Sequence, residues 1–397
     1  MRYLIAFTAV LCASMHTHAQ APTPSVFALD PQTLQANKEG ILHKQSALMP
    51  AYKQLLHEAD EALTKGPYSV MEKKNDPPSG DKHDYMSLAP YFWPDPSKPG
   101  GLPYIRKDGQ TNPEVADYKD KEYLPRLCEL IYTLSTAYYF SGREVYAKHA
   151  SLLLRTWFLD AATRMNPNLN YAQAIKGQND GRGAGLIDTR HFIKLVDAIG
   201  LLNGSQYWKP ADQSAMKKWC ADFLQWMQTS RNGISEMKAG NNHGTWYDAQ
   251  RLALALYIDS TDLAKKIVAN VETRLDQQMD AEGKFPREME RTIALHYNTF
   301  DLEAFYLVAS MGEKLGMDLW HYTGANGQSL QKSFNFLYPY LSGTKQWTGQ
   351  QIKDFEFEEG YFIMIQAARH FDCADCNASI EHLAGDRSSS LRIRLLY

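Results

Sequence analysis

The stretch 121–141, KEYLPRLCELIYTLSTAYYFS, carries the clearest indication of the fold class. Its apolar side chains recur at steps of three and four residues, at Tyr123, Leu127, Leu130, Ile131, Leu134 and Tyr138. Such steps place side chains on one face of an α-helix. The stretch therefore predicts an amphipathic helix, beginning near residue 117, that packs one face against neighbouring elements.

The same periodicity continues to about residue 370. Helical stretches are predicted near 143–158, 188–203, 210–229, 246–257, 260–279, 299–315, 327–341 and 350–370. Short turns with Gly, Pro or Asn separate them. Successive amphipathic helices with short connections pack as antiparallel pairs. We expect an all-α fold, an (α/α) toroid or incomplete (α/α) barrel, although no internal sequence repeat marks the pairs.

Two segments interrupt the helical pattern. Residues 76–114 are rich in Pro, Gly and aromatic side chains, and residues 165–187 are rich in Gly and Asn. Long loops of this kind tend to carry binding groups over a rigid scaffold. No linker divides the chain, so we expect residues 22–397 to form one catalytic domain, with a short irregular tail after about residue 372.

The first 21 residues have the pattern of a signal peptide. Arg2 precedes an apolar run from Tyr3 to Ala13, and Ala19-Gln20-Ala21 supplies a small-x-small cleavage site. The run is too short to span a bilayer. We expect cleavage after residue 21, no membrane span, and a periplasmic or secreted protein.

Charge and cysteine content restrict the function classes. The formal net charge is −3, so the chain has no overall basic field for nucleic acid or another polyanion. Any acidic substrate must be held by locally placed cations. Cys373 and Cys376 have the spacing of half a zinc site without a second half, which leaves a local disulfide or two unpaired thiols. We assign them neither a metal nor catalysis.

The segment 239–248, AGNNHGTWYD, leads into a helical pattern. Thr245 and Asp248 resemble a capping pair, which would place Asn242 and His243 beside the helix N-terminus. Backbone N–H groups and the helix dipole favour an anion there. An amide beside an imidazole suits a carboxylate substrate, but a turn with a structural histidine fits the spacing equally well.

A second candidate segment is 285–299, FPREMERTIALHYNT. Tyr297 is predicted just before a helix start, with Asn298 or Thr299 as the cap. Its phenol is ionised at neutral pH only if nearby cations or donors lower its pKa. Arg291 and His243 are the natural suppliers. The alternative is a core tyrosine beside an exposed pair, Arg287 and Arg291.

Several motifs in one order resemble a known family. They are the segments 85–94, 155–158, 165–169 and 171–173, the Asn-Asn-His of 241–243, and the Arg and Tyr cluster about fifty residues later. Together they resemble the alginate lyase family of (α/α) toroid enzymes, and within that group polysaccharide lyase family 38. The resemblance runs from about residue 50 to about residue 365.

This resemblance implies a polysaccharide lyase that cleaves a 1,4-linked polyuronate by β-elimination and leaves 4,5-unsaturated ends. Asn242 and His243 would neutralise the uronate carboxylate, Arg291 would support them, and Tyr297 would exchange the protons. Arg291 and Tyr297 stand six residues apart and would diverge on a continuous helix, so Arg287 also remains a candidate for the supporting role.

The stereochemistry of the substrate decides which group can act as the base. One residue can serve as base and acid when proton and leaving group share a face, as in β-mannuronate and β-glucuronate. Guluronate presents them on opposite faces and would require His243 as the base. Mannuronate-rich alginate is the expected substrate, glucuronan is the alternative, and no cofactor or metal is expected.

Further residues are candidates for binding sugar rings or neighbouring carboxylates, although each fits a structural role as well. Aromatic candidates for stacking are Tyr85, Tyr91, Trp93 and Trp246. Polar candidates are His83, Gln173, Lys176, Arg182 and Arg287. Of these, Gln173 and Arg182 lie in a loop that resembles the family's.

Two other function classes are alternatives. A glycoside hydrolase on a similar toroid needs two carboxylates across the scissile bond. Asp84, Asp188, Asp248 and Glu303 are available but form no recognisable pair in the sequence. A non-catalytic glycan-binding protein is the other alternative. The sequence gives no oligomeric state.

Overall fold

A computed structural model describes residues 23–397. The predicted signal peptide lies outside the described residues. The described part of the chain is helical for most of its length. The helices are α1 (Pro31–Leu42), α2 (Met49–Ala62), α3 (Lys119–Ser141), α4 (Glu144–Leu154), α5 (Phe192–Leu201), α6 (Pro210–Thr229), α7 (Arg231–Met237), α8 (Asn242–Tyr257), α9 (Thr261–Gln278), α10 (Pro286–Met289), α11 (Ala294–Glu313), α12 (Leu330–Leu341), α13 (Tyr361–His370), α14 (Cys376–Ala384) and α15 (Ile393–Leu396).

The helices form two layers. The inner helices α3, α5, α8 and α11 pack on one another in chain order, and nearly every residue of α5 and α8 is buried. Outer helices are amphipathic: α9 buries Ala264, Ile267, Val268, Val271 and Leu275 against α8. Pairs such as α3 with α4, α8 with α9 and α11 with α12 complete the predicted all-α (α/α) toroid.

Most of the predicted helices are present, but two helices near the N-terminus were not predicted, and two expectations near the C-terminus were wrong. Helices α1 and α2 lie before the predicted region, and Asp30 caps α1 by accepting from the backbone of Gln32 and Thr33. The stretch predicted as a helix over 350–370 is helical only from Tyr361 to His370, apart from a short turn at Phe357–Gly360. The tail predicted to be irregular contains α14 and α15, because Leu395 and Leu396 are buried in the core.

The two interrupting segments pair with each other rather than standing alone. Strand β1 (Met86–Leu88) in the first pairs in parallel with β4 (Tyr171–Ala174) in the second. Strands β2 (Phe92–Trp93) and β3 (Ile105–Arg106) form an antiparallel hairpin. The pairing fixes both segments over the same ends of the inner helices, where α8 and α11 begin.

Cys373 and Cys376 form a disulfide, which was one of the two expected alternatives, while Cys128 and Cys220 are buried free thiols. Within residues 23–397, no helix is both long and apolar enough to cross a bilayer.

Candidate active site

A cavity of about 620 Å³ lies between the paired segments and the N-terminal ends of α8 and α11. Asn242, His243, Arg291 and Tyr297 all line it. The structure therefore brings together the four residues that the sequence placed at the chemical centre, although up to 55 positions separate them.

Asn242 is the first residue of α8 and is held by a buried glutamate. Its backbone N–H and its side-chain Nδ2 both donate to Glu288 Oε1, at 2.8 and 2.7 Å. Glu288 is fully buried and comes from the short helix α10. This double contact fixes the orientation of the Asn242 amide and leaves one Nδ2 hydrogen for another acceptor.

The expected position at a helix start is confirmed for Asn242 and His243, but the expected capping pair was wrong. No side chain caps α8, whose N-cap residue is Asn241. Thr245 donates to Gln278 Oε1, and Asp248 accepts from Arg274 Nε at 2.7 Å. Both residues lie inside the helix and join α8 to α9, because the helix begins four residues earlier than the pattern suggested.

His243 follows Asn242 and is held by a second glutamate. Its Nδ1 lies 2.6 Å from Glu236 Oε1. The Glu236 side chain is 5% exposed, whereas that of His243 is 25% exposed. Because Nδ1 is occupied by Glu236, the ring contacts other groups in the cavity through Nε2.

Tyr297 lies in the first turn of α11, not before it as the sequence suggested. Asn298 and Thr299 are not caps, since their side chains donate to the carbonyls of Ala294 and Leu295 one turn earlier. The Tyr297 hydroxyl is hydrogen-bonded to that of Tyr91, with 2.8 Å between the oxygens. Tyr91 belongs to the segment 76–114 and extends over the cavity from the opposite side.

The environment of the Tyr297 phenol favours its neutral form. Burial raises the pKa of Tyr297 above its ordinary value and the Tyr91 hydroxyl adds to the rise, while Arg291 opposes it without cancelling it. The expectation that Arg291 and His243 together lower this pKa was therefore wrong. Arg291 acts in the expected direction, but desolvation is the larger effect.

Arg291 lies in the turn between α10 and α11 and meets Tyr297 directly. Its guanidinium carbon is 3.5 Å from the centroid of the Tyr297 ring. Nε and Nη2 donate to Asp108, with the Nη2 contact at 2.8 Å. The six-residue spacing does not separate the two side chains, because the chain between them is not one continuous helix.

Arg287 lies outside the cavity lining. It is exposed, and its guanidinium packs against Gly240. A side chain at Gly240 would collide with it, since a Cβ there would be 2.8 Å from Nη1 of Arg287. The geometry therefore places Arg291, and not Arg287, beside Tyr297.

Gln173 and Arg182 do line the cavity, as part of a network around a buried carboxylate. Arg182 Nη2 donates to Gln173 Oε1, and Gln173 Nε2 donates to Asp188, each at 3.0 Å. Asp188 also accepts from Lys121 and Ser87. Although burial acts to raise it, these donors hold the pKa of Asp188 below its ordinary value.

The other predicted binding residues are not part of the cavity lining, and each has a structural partner. Tyr85 is fully buried and donates to Asp188, and Trp246 is buried with its Nε1 donating to the Phe300 carbonyl. Trp93 donates to the Gln110 carbonyl, and Lys176 pairs with Glu114 at 2.6 Å. His83 is bonded to the Arg164 carbonyl.

The sequence reasoning missed several cations of the cavity, which also contains Arg106, Lys121 and Arg190. Neither Arg182 nor Arg190 forms a salt bridge with a carboxylate in residues 23–397, whereas Arg291, Arg106 and Lys121 each do. Among the described residues, Glu236 is the sole carboxylate in the lining. The cavity is thus locally cationic in a chain whose net charge is negative.

A second and slightly larger cavity, of about 680 Å³, adjoins the first and shares Arg190, His296 and Phe300 with it. The C-terminal segment and Trp246 line it, and none of the four central residues does. Size alone therefore does not identify the site. The smaller cavity has the convergent titratable and donor groups that chemistry requires.

Within residues 23–397, no group of three or more His, Cys, Asp or Glu side chains is arranged to hold a metal ion. The polar groups of the cavity are mainly amide, imidazole, guanidinium and phenol, with the ammonium of Lys121 and the carboxylate of Glu236. These groups can bind a carboxylate, stabilise negative charge that develops on it, and move a proton.

The sequence profile of the alginate lyase family matches residues 69–347. The structure is similar to the crystal structure of an alginate lyase from Bacteroides ovatus, with a TM-score of 0.90 and 41% identity, covering 94% of this chain and 99% of that one. It is also similar in fold to alginate lyase A1-III from Sphingomonas species A1, with a TM-score of 0.59 and 18% identity, covering 96% and 97%. A variant of A1-III complexed with a tetrasaccharide gives a TM-score of 0.61 at 18% identity, covering 96% of this chain and 97% of that one. No curated protein matches the sequence.

Proposed function

We propose that this chain, which belongs to the alginate lyase family and is a polysaccharide lyase, cleaves mannuronate-rich alginate by β-elimination. The products would carry a 4,5-unsaturated uronate at the new end. The observation that carries the proposal is the cavity itself, where a phenol, an imidazole and an amide meet among cations in a protein of net negative charge.

The difficult step is removal of the weakly acidic carbon-5 proton. Negative charge develops on the uronate carboxylate in the transition state, and fixed donors that point at it lower the barrier. We assign this role to the free Nδ2 hydrogen of Asn242 and to Nε2 of protonated His243. Glu288 and Glu236 hold these two donors, so neither has to reorient during the reaction.

The proton transfers are assigned to Tyr297. As phenolate it takes the carbon-5 proton, the carbon-4 to oxygen bond breaks as the double bond forms, and the resulting phenol gives the proton to the leaving oxygen. The phenolate is restored at the end, so the proton count balances. Mannuronate allows this sequence because its proton and leaving group share one face.

Arg291 has a supporting role in this scheme. Its guanidinium lies on the face of the Tyr297 ring and favours the charged phenolate, against the effect of burial. Asp108 fixes the guanidinium in that position through three contacts between 2.8 and 3.1 Å. We infer that Arg291, rather than Arg287, acts with Tyr297.

The neighbouring sugar carboxylates are assigned to Arg182 and Arg190. Both line the cavity, and neither is neutralised by a salt bridge in the described part of the chain. Gln173 positions Arg182 through its Oε1.

The experiment is a parallel digestion of poly-mannuronate, poly-guluronate and glucuronan, followed through the ultraviolet absorbance of the new double bond. We expect the highest turnover on poly-mannuronate. Highest turnover on glucuronan would transfer the mechanism to that polymer, since it shares the configuration at carbons 4 and 5. Chain cleavage without a double bond would refute the proposal and favour hydrolysis.

A further inference from the structure

The carboxylate of Glu236 is the one side-chain partner of the His243 imidazole within residues 23–397, at 2.6 Å from Nδ1. Glu236 belongs to α7 and His243 to α8, so the contact joins two helices at the cavity wall. The Glu236 side chain is 5% exposed and makes no other side-chain hydrogen bond in that part of the chain. Because a buried charge needs a hydrogen-bonding partner, the Glu236 carboxylate and the His243 imidazole are expected to stay in contact.

The position of Glu236 is fixed by close packing. Helix α7 lies against the turn Gly183–Thr189, where a Cβ at Gly183 would approach the backbone nitrogen of Glu236 to 3.1 Å and the carbonyl oxygen of Asn232 to 2.8 Å. Only glycine permits this approach without displacing α7. The backbone from which the Glu236 side chain extends to His243 is therefore held in place by its packing against this turn.

A carboxylate can only accept hydrogen bonds, so the contact requires a hydrogen on Nδ1 of His243. We propose that Glu236 is a positioning residue of the lyase reaction, which keeps that hydrogen on Nδ1 and makes Nε2 the atom that meets the uronate. This inference rests on the proposed function. Beyond the proposed function, the inference states that the neutral imidazole of His243 carries no hydrogen on Nε2.

Two forms of His243 then remain. The imidazolium donates through Nε2 to the uronate carboxylate, which is the role needed for mannuronate. The neutral imidazole has a lone pair on Nε2 and accepts a proton, which is the role that guluronate requires. Glu236 excludes the third form, a neutral ring that donates through Nε2.

The substitution Glu236→Gln separates these roles. A glutamine amide can donate to Nδ1 as well as accept from it, so the imidazole hydrogen is no longer confined to Nδ1 and can move to Nε2. In the form with the hydrogen on Nε2, the variant keeps a donor for the carboxylate but loses the acceptor. We expect turnover of poly-mannuronate to fall by less than about tenfold, and turnover of poly-guluronate to fall on the order of a hundredfold or more.

Glu290→Gln is the matched control, because Glu290 is exposed and makes no hydrogen bond through its side chain in the described residues. It should leave both activities unchanged. Equal losses on the two polymers in Glu236→Gln would show a purely structural effect and overturn the proposal. So would a parent enzyme that cleaves poly-mannuronate but not poly-guluronate.

Nitrogen NMR of histidine-labelled protein gives a second readout that does not depend on turnover. The signals of His243, one of 12 histidines, are identified by their loss in His243→Ala. We expect the neutral ring to carry its hydrogen on Nδ1 in the parent and on Nε2 in Glu236→Gln. A hydrogen on Nε2 in the parent would contradict the proposal.

The two readouts keep this inference separate from the proposed function. If no uronan yields a double bond, the proposed function fails while the NMR experiment still decides where the hydrogen lies. If the parent is active and Glu236→Gln reverses the ring hydrogen without altering either activity, the proposed function stands and the positioning role fails.

Discussion

Replacing Tyr297 by phenylalanine removes one oxygen atom from the cavity and nothing else. The ring keeps its contact with the Arg291 guanidinium at 3.5 Å and its edge contacts with His296 and Phe300. What is lost is the hydrogen bond to the Tyr91 hydroxyl. Tyr91 is only half-buried, so its hydroxyl can turn to water, and the free energy of unfolding should fall by about 1 kcal/mol or less.

The effect on turnover should be much larger. A group that takes and returns the proton contributes on the order of a hundredfold or more. A hundredfold loss corresponds to about 2.7 kcal/mol in the activation barrier, which exceeds the expected loss of stability. We therefore expect Tyr297→Phe to melt near the parent temperature, to bind mannuronate oligomers in calorimetry, and to form almost no unsaturated product.

Tyr146→Phe is a suitable control. Tyr146 is a fully buried tyrosine of α4, away from the cavity, whose hydroxyl donates to Asp60 at 2.7 Å. It should lose stability without losing turnover. Turnover of Tyr297→Phe close to that of the parent would refute the proton-transfer role and leave His243 as the candidate base.

Three further predictions test the neighbouring groups. Arg291→Ala should reduce turnover more than Arg287→Ala, because only Arg291 lies on the Tyr297 ring; the reverse order in kcat/KM would show that the wrong arginine was chosen. Since burial raises the pKa of Tyr297, the phenolate fraction should rise by about tenfold per pH unit below that pKa, and turnover of poly-mannuronate should rise with it as long as His243 stays protonated; a flat profile over the range in which His243 is protonated would exclude phenolate as the base. Activity should survive chelation, because the donors of the cavity are amide, imidazole and guanidinium; complete loss that one added metal restores would contradict this.

The sequence predicted the helical layers well, because the buried face of each helix consists of apolar residues that recur at steps of three and four within a short segment. The same local pattern located Asn242 and His243 at a helix start. It misplaced the start of α11, because Asn298 and Thr299 have the side chains of caps, and only the fold shows that they bind carbonyls one turn earlier.

The contacts that hold the site could not be predicted, since they join residues far apart in the chain. Asp108 meets Arg291 from 183 positions away, and Tyr91 meets Tyr297 from 206. The sequence also does not show whether a given aromatic side chain points into the core or into the cavity. Tyr85 and Trp246 were plausible stacking residues, but the structure buries both.

The four carboxylates around the site share one arrangement that explains both its rigidity and its charge. Glu288 holds Asn242, Glu236 holds His243, Asp108 holds Arg291, and Asp188 holds Lys121 and Gln173. Each fixes a group that faces the cavity, as preorganised stabilisation of a developing charge requires. Each carboxylate that meets a cation also neutralises it, so the positive field that remains comes chiefly from Arg182 and Arg190. A chain of net negative charge can therefore attract a polyanion to this cavity, because Arg182 and Arg190 converge there without a carboxylate partner in residues 23–397.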